Sequence, residues 1–318
     1  MPRTIDFEKP IEEIHEKISD LKRLTRDNEI DFTDEIKIME KRAAALQTKI
    51  YKNLSAVQTL KIARHPDRPG MLDYLSLAFN DFIELHGDRA FGDDHAIVGG
   101  IAFLDKYPVM IIGQQKGKDT KSNIYRNFGM AQPEGYRKAL RLMYLAQKMN
   151  RPIITIVDTS GAYPGKGSEE RGVAEAIAKN LQEMINLEVP VIVVITGEGG
   201  SGGALGIAIG NSVAMLEYAV YSVISPEGCA SILYRDATKV GVALENLKIT
   251  ARDHEKLGII DSILPEPLGG AQKDPKKMAQ TLKKYLLQEI KKYNKYSVTR
   301  LKEERFRKFR NMGVFTES

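Results

Sequence analysis

Residues 158–172 read DTSGAYPGKGSEERG and follow the apolar run PIITIV at 152–157. A short run rich in β-branched residues predicts a buried strand, the glycines after it predict a turn, and SEERG opens the next helix. A lysine in a glycine-rich turn after a strand is the setting of a phosphate-binding loop. That loop needs four residues between its first Gly and the Gly-Lys pair, then a Ser or Thr for magnesium. Here only Ala162, Tyr163 and Pro164 separate Gly161 from Gly165-Lys166, and Gly167 stands where the hydroxyl belongs. The spacing argues against a nucleotide-hydrolase loop.

A second glycine stretch, ITGEGGSGGALGIAIG at 195–210, also follows an apolar run, VIVVI at 191–195. Gly197, Gly199 and Gly202 match the dinucleotide-binding pattern, with Glu217 downstream. That pattern belongs to the opening strand-to-helix turn of a dinucleotide fold, and its acidic residue ends the second strand. This stretch comes late in the chain, and Glu217 precedes the strand-like VYSVIS, so the match is read as formal. Ser201 lies among glycines with Gly200 just before it and is read as standing outside a G-x-S-x-G nucleophile elbow, and no Asp and His follow in a hydrolase order. What the two stretches share is a glycine turn between a strand and a helix start, where backbone N–H groups lack intrahelical acceptors. Two such turns on adjacent strands can aim their amides at one developing oxyanion, such as an enolate.

The rest of the composition narrows the class. The 318 residues carry 47 basic and 42 acidic side chains, a net charge of +5, too balanced to name an anionic partner. The single cysteine, Cys229, excludes an internal disulfide and reads as a packed thiol. His15, His65, His86, His95 and His254 are scattered without ligand spacing, so no metal is expected in this chain. The N-terminus lacks an apolar leader and no run approaches a membrane span, which predicts a cytoplasmic protein with no membrane contact. The Glu169-Glu170 pair reads as a charge at a helix start and not as a catalytic base.

Outward from the two turns, the pattern is α/β. Residues 1–65 predict a helical hairpin, with Ile11, Ile14, Ile18 and Leu21 on one stripe and Ile36, Met39, Ala43, Leu46 and Ile50 on the other. HPDRPG at 65–70 ends it, and residues 66–318 form the main domain. Residues 71–87 read as a helix, AIVGGIAFL and YPVMIIGQQ as paired strands, and GYRKALRLMYLAQKMN as a helix. SEERGVAEAIAKNLQEMINL reads as one helix, GGALGIAIGNSVAMLE as a short helix, and VYSVISPEG as a strand. Beyond them, ARDHEKLGIIDSILPEPLGG holds a short helix and a strand, and the basic helical tail from Asp274 carries the stripe Met278, Leu282, Leu286 and Ile290. This tail makes a nucleic-acid-binding role the alternative of a different class, although no aromatic stacking motif accompanies it.

The segments ARHPDRPG, ELHGDRAFGDDHAIVGGIAF, GQQKGKDT, NFGMAQPEGYRKALRLM, VDTSGAYPGKGSEERG, GEGGSGGALGIA, SPEGCASILYRDA and IIDSILPEPLGGA resemble the alpha subunit of bacterial acetyl-CoA carboxylase carboxyltransferase, over roughly residues 4–290. The resemblance implies a crotonase-like fold, a spiral of ββα units, and transfer of a carboxyl group from carboxybiotin on a separate carrier protein to acetyl-CoA, giving malonyl-CoA for fatty-acid synthesis. It implies a beta subunit of related fold that carries zinc, in an α2β2 assembly with a biotin carboxyl carrier protein, and a separate biotin carboxylase. Carried to this sequence, Gly202, Gly203 and Ala204 would supply biotin-side amides, with Gly161 and Ala162 as the second contributor. Tyr163, Pro164 and Gly165 would wall that pocket, and Glu227 and Gly228 are further candidates for it. The family has Pro where this chain has Ser160, which leaves the first turn less restrained. A stand-alone acyl-CoA hydratase or decarboxylase of the same fold is the enzyme alternative.

Overall fold

The computed structural model describes residues 5–28 and 31–314. Helices α1 (Lys9–Asn28) and α2 (Thr33–Lys52) form the N-terminal hairpin, joined by a Lys22–Glu40 ion pair at 2.8 Å. Its inner stripe includes buried Ile11, Ile18 and Ala43, and buried Tyr51 ties it down by donating to Glu8 at 2.6 Å. Helix α3 (Ala56–Ala63) starts with a capping box from Ser55 and Gln58, and α4 (Met71–Ala78) follows the proline-rich bend.

Strands β1 (Asn80–Glu84), β2 (Ile97–Leu104) and β3 (Tyr107–Gln114) pair antiparallel. The β2–β3 turn is two residues, Asp105 and Lys106, with Asp105 at φ 53, the left-handed conformation such hairpins favour. Helices α5 (Thr120–Tyr125) and α6 (Pro133–Lys148) lead to β4 (Ile153–Thr159), then α7 (Lys166–Glu170) and α8 (Val173–Asn186) to β5 (Val191–Gly200). A short α9 (Ser201–Leu205) is followed by β6 (Ser212–Leu216) and β7 (Val220–Ser222). Helices α10 (Pro226–Tyr234), α11 (Val240–Leu247) and α12 (Ala251–Lys256) come next, then β8 (Ser262–Leu264), α13 (Pro275–Tyr293) and α14 (Val298–Arg310).

The sheet order is β1-β2-β3-β4-β5-β6-β8, parallel from β3 onward, with β7 pairing the far end of β5. Every residue of β4 and β5 is buried, as their unbroken apolar runs require. Because β3, β4 and β5 are parallel, their C-terminal ends at Gln114, Thr159 and Gly200 share one edge of the sheet.

Four segments differ from the sequence reading. Residues 80–84 are strand β1 and not a helical continuation, since Asp81 at φ 51 breaks the helix and the segment finds an edge partner in β2. The helix expected after the first turn is split into α7 and α8 by Gly172 at φ +78. The expected short helix at 202–217 covers only α9, because residues 212–216 pair parallel with β5. The strand expected at 220–228 stops at Ser222, and Ser225 caps α10 instead.

Candidate active site

The two glycine turns touch. A Cβ placed on Gly203 would lie 2.3 Å from Ala162 N and 2.3 Å from the Gly161 carbonyl carbon, and one on Gly200 would lie 2.1 Å from Ser160 O. Only glycine at these two positions lets the backbones meet. Gly202 differs, for a Cβ there meets nothing nearer than Ile177 at 3.7 Å, so this position is not closed against the first turn. The first turn is braced by Thr159, whose Oγ1 donates to Gly161 O at 2.7 Å and accepts from Gly161 N at 3.2 Å. Gly161 itself adopts φ +156 and Ser201, at the β5–α9 junction, φ 54.

Gly161, Ala162, Gly202, Gly203 and Ala204 are thus brought into one place by the ends of β4 and β5. Tyr163, Pro164 and Gly165 continue the first turn, and the Tyr163 ring folds back so closely that a Cβ on Gly165 would meet it at 2.4 Å. Glu227 and Gly228 lie on α10, where Gly228 N donates to Ser225 Oγ at 3.1 Å and Glu227 pairs with Arg64 at 2.6 Å.

A charged cleft of about 160 Å³ opens at the same sheet edge, lined by Arg64, Arg68, Gln115, Lys116, Lys118 and Asp158 among others. Lys116 Nζ lies 2.7 Å from Asp158 and 3.8 Å from Glu198. Arg64 donates to Glu198 at 2.6 Å and to Glu227, while buried Arg68 pairs with Glu266 at 2.5 Å and donates to Thr196 O at 2.7 Å. Burial opposes both guanidinium charges, yet the carboxylates facing them hold the Arg64 and Arg68 pKa above the ordinary value. A Cβ on Gly197 would lie 2.4 Å from Asp158 Oδ1, so this glycine serves the carboxylate's approach, not a dinucleotide. Sequence reasoning did not assign the six cleft-lining residues named, although ARHPDRPG and GQQKGKDT, the motifs that carry five of them, were visible.

Across residues 4–313 the chain matches the family model described as acetyl co-enzyme A carboxylase carboxyltransferase-like. The acetyl-CoA carboxylase carboxyl transferase subunit alpha of Geobacter metallireducens is 57% identical over 313 residues, 98% of each chain. Its counterpart in Listeria monocytogenes is 53% identical over 315 residues, 99% of each chain. The chain belongs to the acetyl-CoA carboxylase carboxyltransferase alpha-subunit family. The fold agrees. The transcarboxylase 12S structure superposes with a TM-score of 0.55 at 21% identity, covering 69% of this chain and 42% of that one. The beta subunit of P. aeruginosa geranyl-CoA carboxylase gives 0.56 at 18%, covering 76% and 46%. Both share the crotonase-like architecture.

In this carboxyltransferase chain, α9 also borders an apolar pocket of about 430 Å³, lined by Ser201, Leu205, Tyr221, Val223, His254 and Leu257 among others. His254 is buried with its Nδ1 unpaired, and burial lowers its imidazole pKa. Gly199, Ser201 and Gly203 do keep the spacing of a nucleophile elbow, contrary to the sequence reading. The elbow geometry, a left-handed Ser201 between strand and helix, serves here to bring Gly203 onto the first turn. Among the described residues, no three His, Cys, Asp or Glu side chains are grouped to hold a metal ion. No helix of the described residues is long and apolar enough to cross a membrane.

Proposed function

We propose that the paired glycine turns form the biotin-side half of the carboxyltransferase site, with Gly202, Gly203 and Ala204 N–H groups directed at the ureido oxygen, the Gly161-Ala162 turn as the second contributor, and Tyr163, Pro164 and Gly165 as the wall. The chain is a carboxyltransferase subunit of acetyl-CoA carboxylase by family. Carboxybiotin, brought on a carrier protein, supplies the carboxyl group and, once that group has left, a basic nitrogen for the acetyl methyl proton. This chain's task is then to hold an oxyanion without a side chain in the way and to position the donor. The observation that carries the reading is the backbone contact of Gly203 with Gly161 and Ala162.

The other half, which holds the thioester enolate, is assigned to a beta subunit of related fold that bears the zinc, in an α2β2 assembly. Biotin carboxyl carrier protein and biotin carboxylase act in the same cycle. The α1–α2 hairpin, where Ile38 is 67% exposed, is assigned to packing or to this subunit interface. The basic tail does not favour a nucleic-acid role, since Arg305 is buried and Lys308 pairs with Asp261.

The test is the reverse reaction, loss of malonyl-CoA in the presence of biocytin, with this chain alone and after co-expression with the beta subunit. Turnover only in the complex is expected. Turnover by this chain alone would place the whole site on one polypeptide and support the stand-alone decarboxylase.

A further inference from the structure

The buried side chains around α9 are not all apolar. Gln114, at the end of β3, and Tyr136, on α6, are fully buried, and both donate to a single backbone oxygen, Gly203 O, at 2.8 and 3.2 Å. Asn180 of α8 donates from one nitrogen to Gly206 O at 2.9 Å and to Tyr136 O at 3.0 Å. Polar groups are costly to bury unless bonded, so a cluster of three around one five-residue helix and its C-cap Gly206 calls for a reason.

The local hydrogen bonding supplies one. In a regular helix Gly203 O would accept from Ile207 N, four residues on. Here Ile207 N donates to Ala204 O at 3.2 Å, and Gly203 O is left to the two side chains. A helix as short as α9 has little stiffness of its own, so what grips it sets its rotation and depth. The other end of Gln114 matters equally, because its Oε1 accepts from Asp158 N at 3.1 Å, at the root of the first glycine turn. One carboxamide therefore spans both turns. The Tyr136 ring lies where a Cβ of Gly206 would be, at 2.7 Å, which brings its hydroxyl within reach of Gly203.

We propose that Gln114 and Tyr136 are positioning residues for carboxyl transfer: they clamp the Gly203 carbonyl, fix the rotation of α9, and so set the direction of the Gly202 and Gly203 N–H groups against the Gly161-Ala162 turn. The inference rests on the reading of those turns as oxyanion donors. Burial keeps the Tyr136 phenol protonated well above its ordinary pKa, so it stays a donor across the working pH range.

The experiment uses the complex with the beta subunit and compares Gln114→Met, Tyr136→Phe and Gly203→Ala in the malonyl-CoA and biocytin reaction, with thermal unfolding in parallel. Tyr136→Phe keeps the ring against Gly206 and removes only the hydroxyl, so it decides the matter if Gln114→Met does not fold. Misdirected amides lower kcat by about tenfold or more while KM for both substrates stays within about twofold, since the loss falls on the transition state. The double variant is expected to depart from the product of the single losses, because both donors hold one atom. If kcat of Gln114→Met and Tyr136→Phe stays within about twofold of wild type and only the unfolding temperature drops, the two residues merely stabilise the fold and the proposal is overturned. Full turnover by Gly203→Ala would instead remove the oxyanion reading beneath it.

Discussion

Glycine 203 and glycine 202 sit side by side in sequence and have different reasons for lacking a side chain. Gly203→Ala would push a methyl group into the Gly161-Ala162 backbone, where the nearest atoms lie at 2.3 Å, and must separate the two turns. In the complex it is expected to lose about 10² or more in kcat, the scale of losing an oxyanion donor. Gly202→Ala has room and should keep more than about a tenth of wild-type kcat; equal losses from both variants would mean that backbone contact is not what matters. Both turns were legible from glycines placed after apolar runs. The ion pairs were not, since Arg68 meets Glu266 across 198 residues and no local pattern records that. Arg68→Ala leaves Glu266 buried without its partner and is expected to cost about 3–5 kcal/mol, measured by urea unfolding. A cost near zero would show that Glu266 is satisfied by Tyr218 N and Ala271 N alone.

At the scale of elements, the C-terminal tail shows how a charge pattern misleads. Its Lys and Arg residues suggest a solvated basic face, yet Arg305 on α14 is fully buried. It donates to Met184 O, Leu187 O and Val189 O, each at 2.8 Å, and to Asn211 Oδ1 at 2.6 Å. It thus caps the end of α8 and the turn into β5, where helix carbonyls lack partners. Burial lowers its pKa to about 10, which still leaves it charged at neutral pH. Arg305→Met should cost about 2–4 kcal/mol through unsatisfied carbonyls and expose the 294–298 linker to limited proteolysis. Undiminished resistance to protease would show that the apolar stripe of α13 holds the tail without it. Two of the elements misread from sequence share one cause. Residues 80–84 and 212–216 are short strands whose partners, β2 and β5, lie elsewhere in the chain, and a helical expectation carried on from the preceding segment overran them.

For the whole molecule, the loop 87–94 links stability to pH. Burial opposes ionisation of Asp88, but N–H donors of Ala90, Phe91 and Gly92 and the Arg137 guanidinium outweigh it and hold its pKa at about 2. Asp93 is held low as well, burial again being outweighed, by Lys138 and Gly87 N. A carboxylate depressed in the folded state stabilises above its unfolded pKa of about 4 and loses that contribution as pH falls toward about 2. Asp94 works the other way, its pKa raised by burial, and offsets part of the effect. The urea midpoint should fall between pH 5 and pH 3, and Asp88→Asn should flatten that dependence. A wild-type midpoint that does not move would remove this loop from the acid response.

The sequence by itself determined the α/β class, the two glycine turns, the family and its chemistry. Those follow from patterns local in the chain: apolar runs, glycine spacing and long ordered motifs. Only the tertiary structure decided that the two turns touch, that Gln114 and Tyr136 converge on one carbonyl, and that the cationic side chains of ARHPDRPG and GQQKGKDT share a cleft. Each depends on strands that are distant in sequence and become parallel neighbours in the sheet, a pairing specified by the burial of whole faces and not by any single stretch of residues.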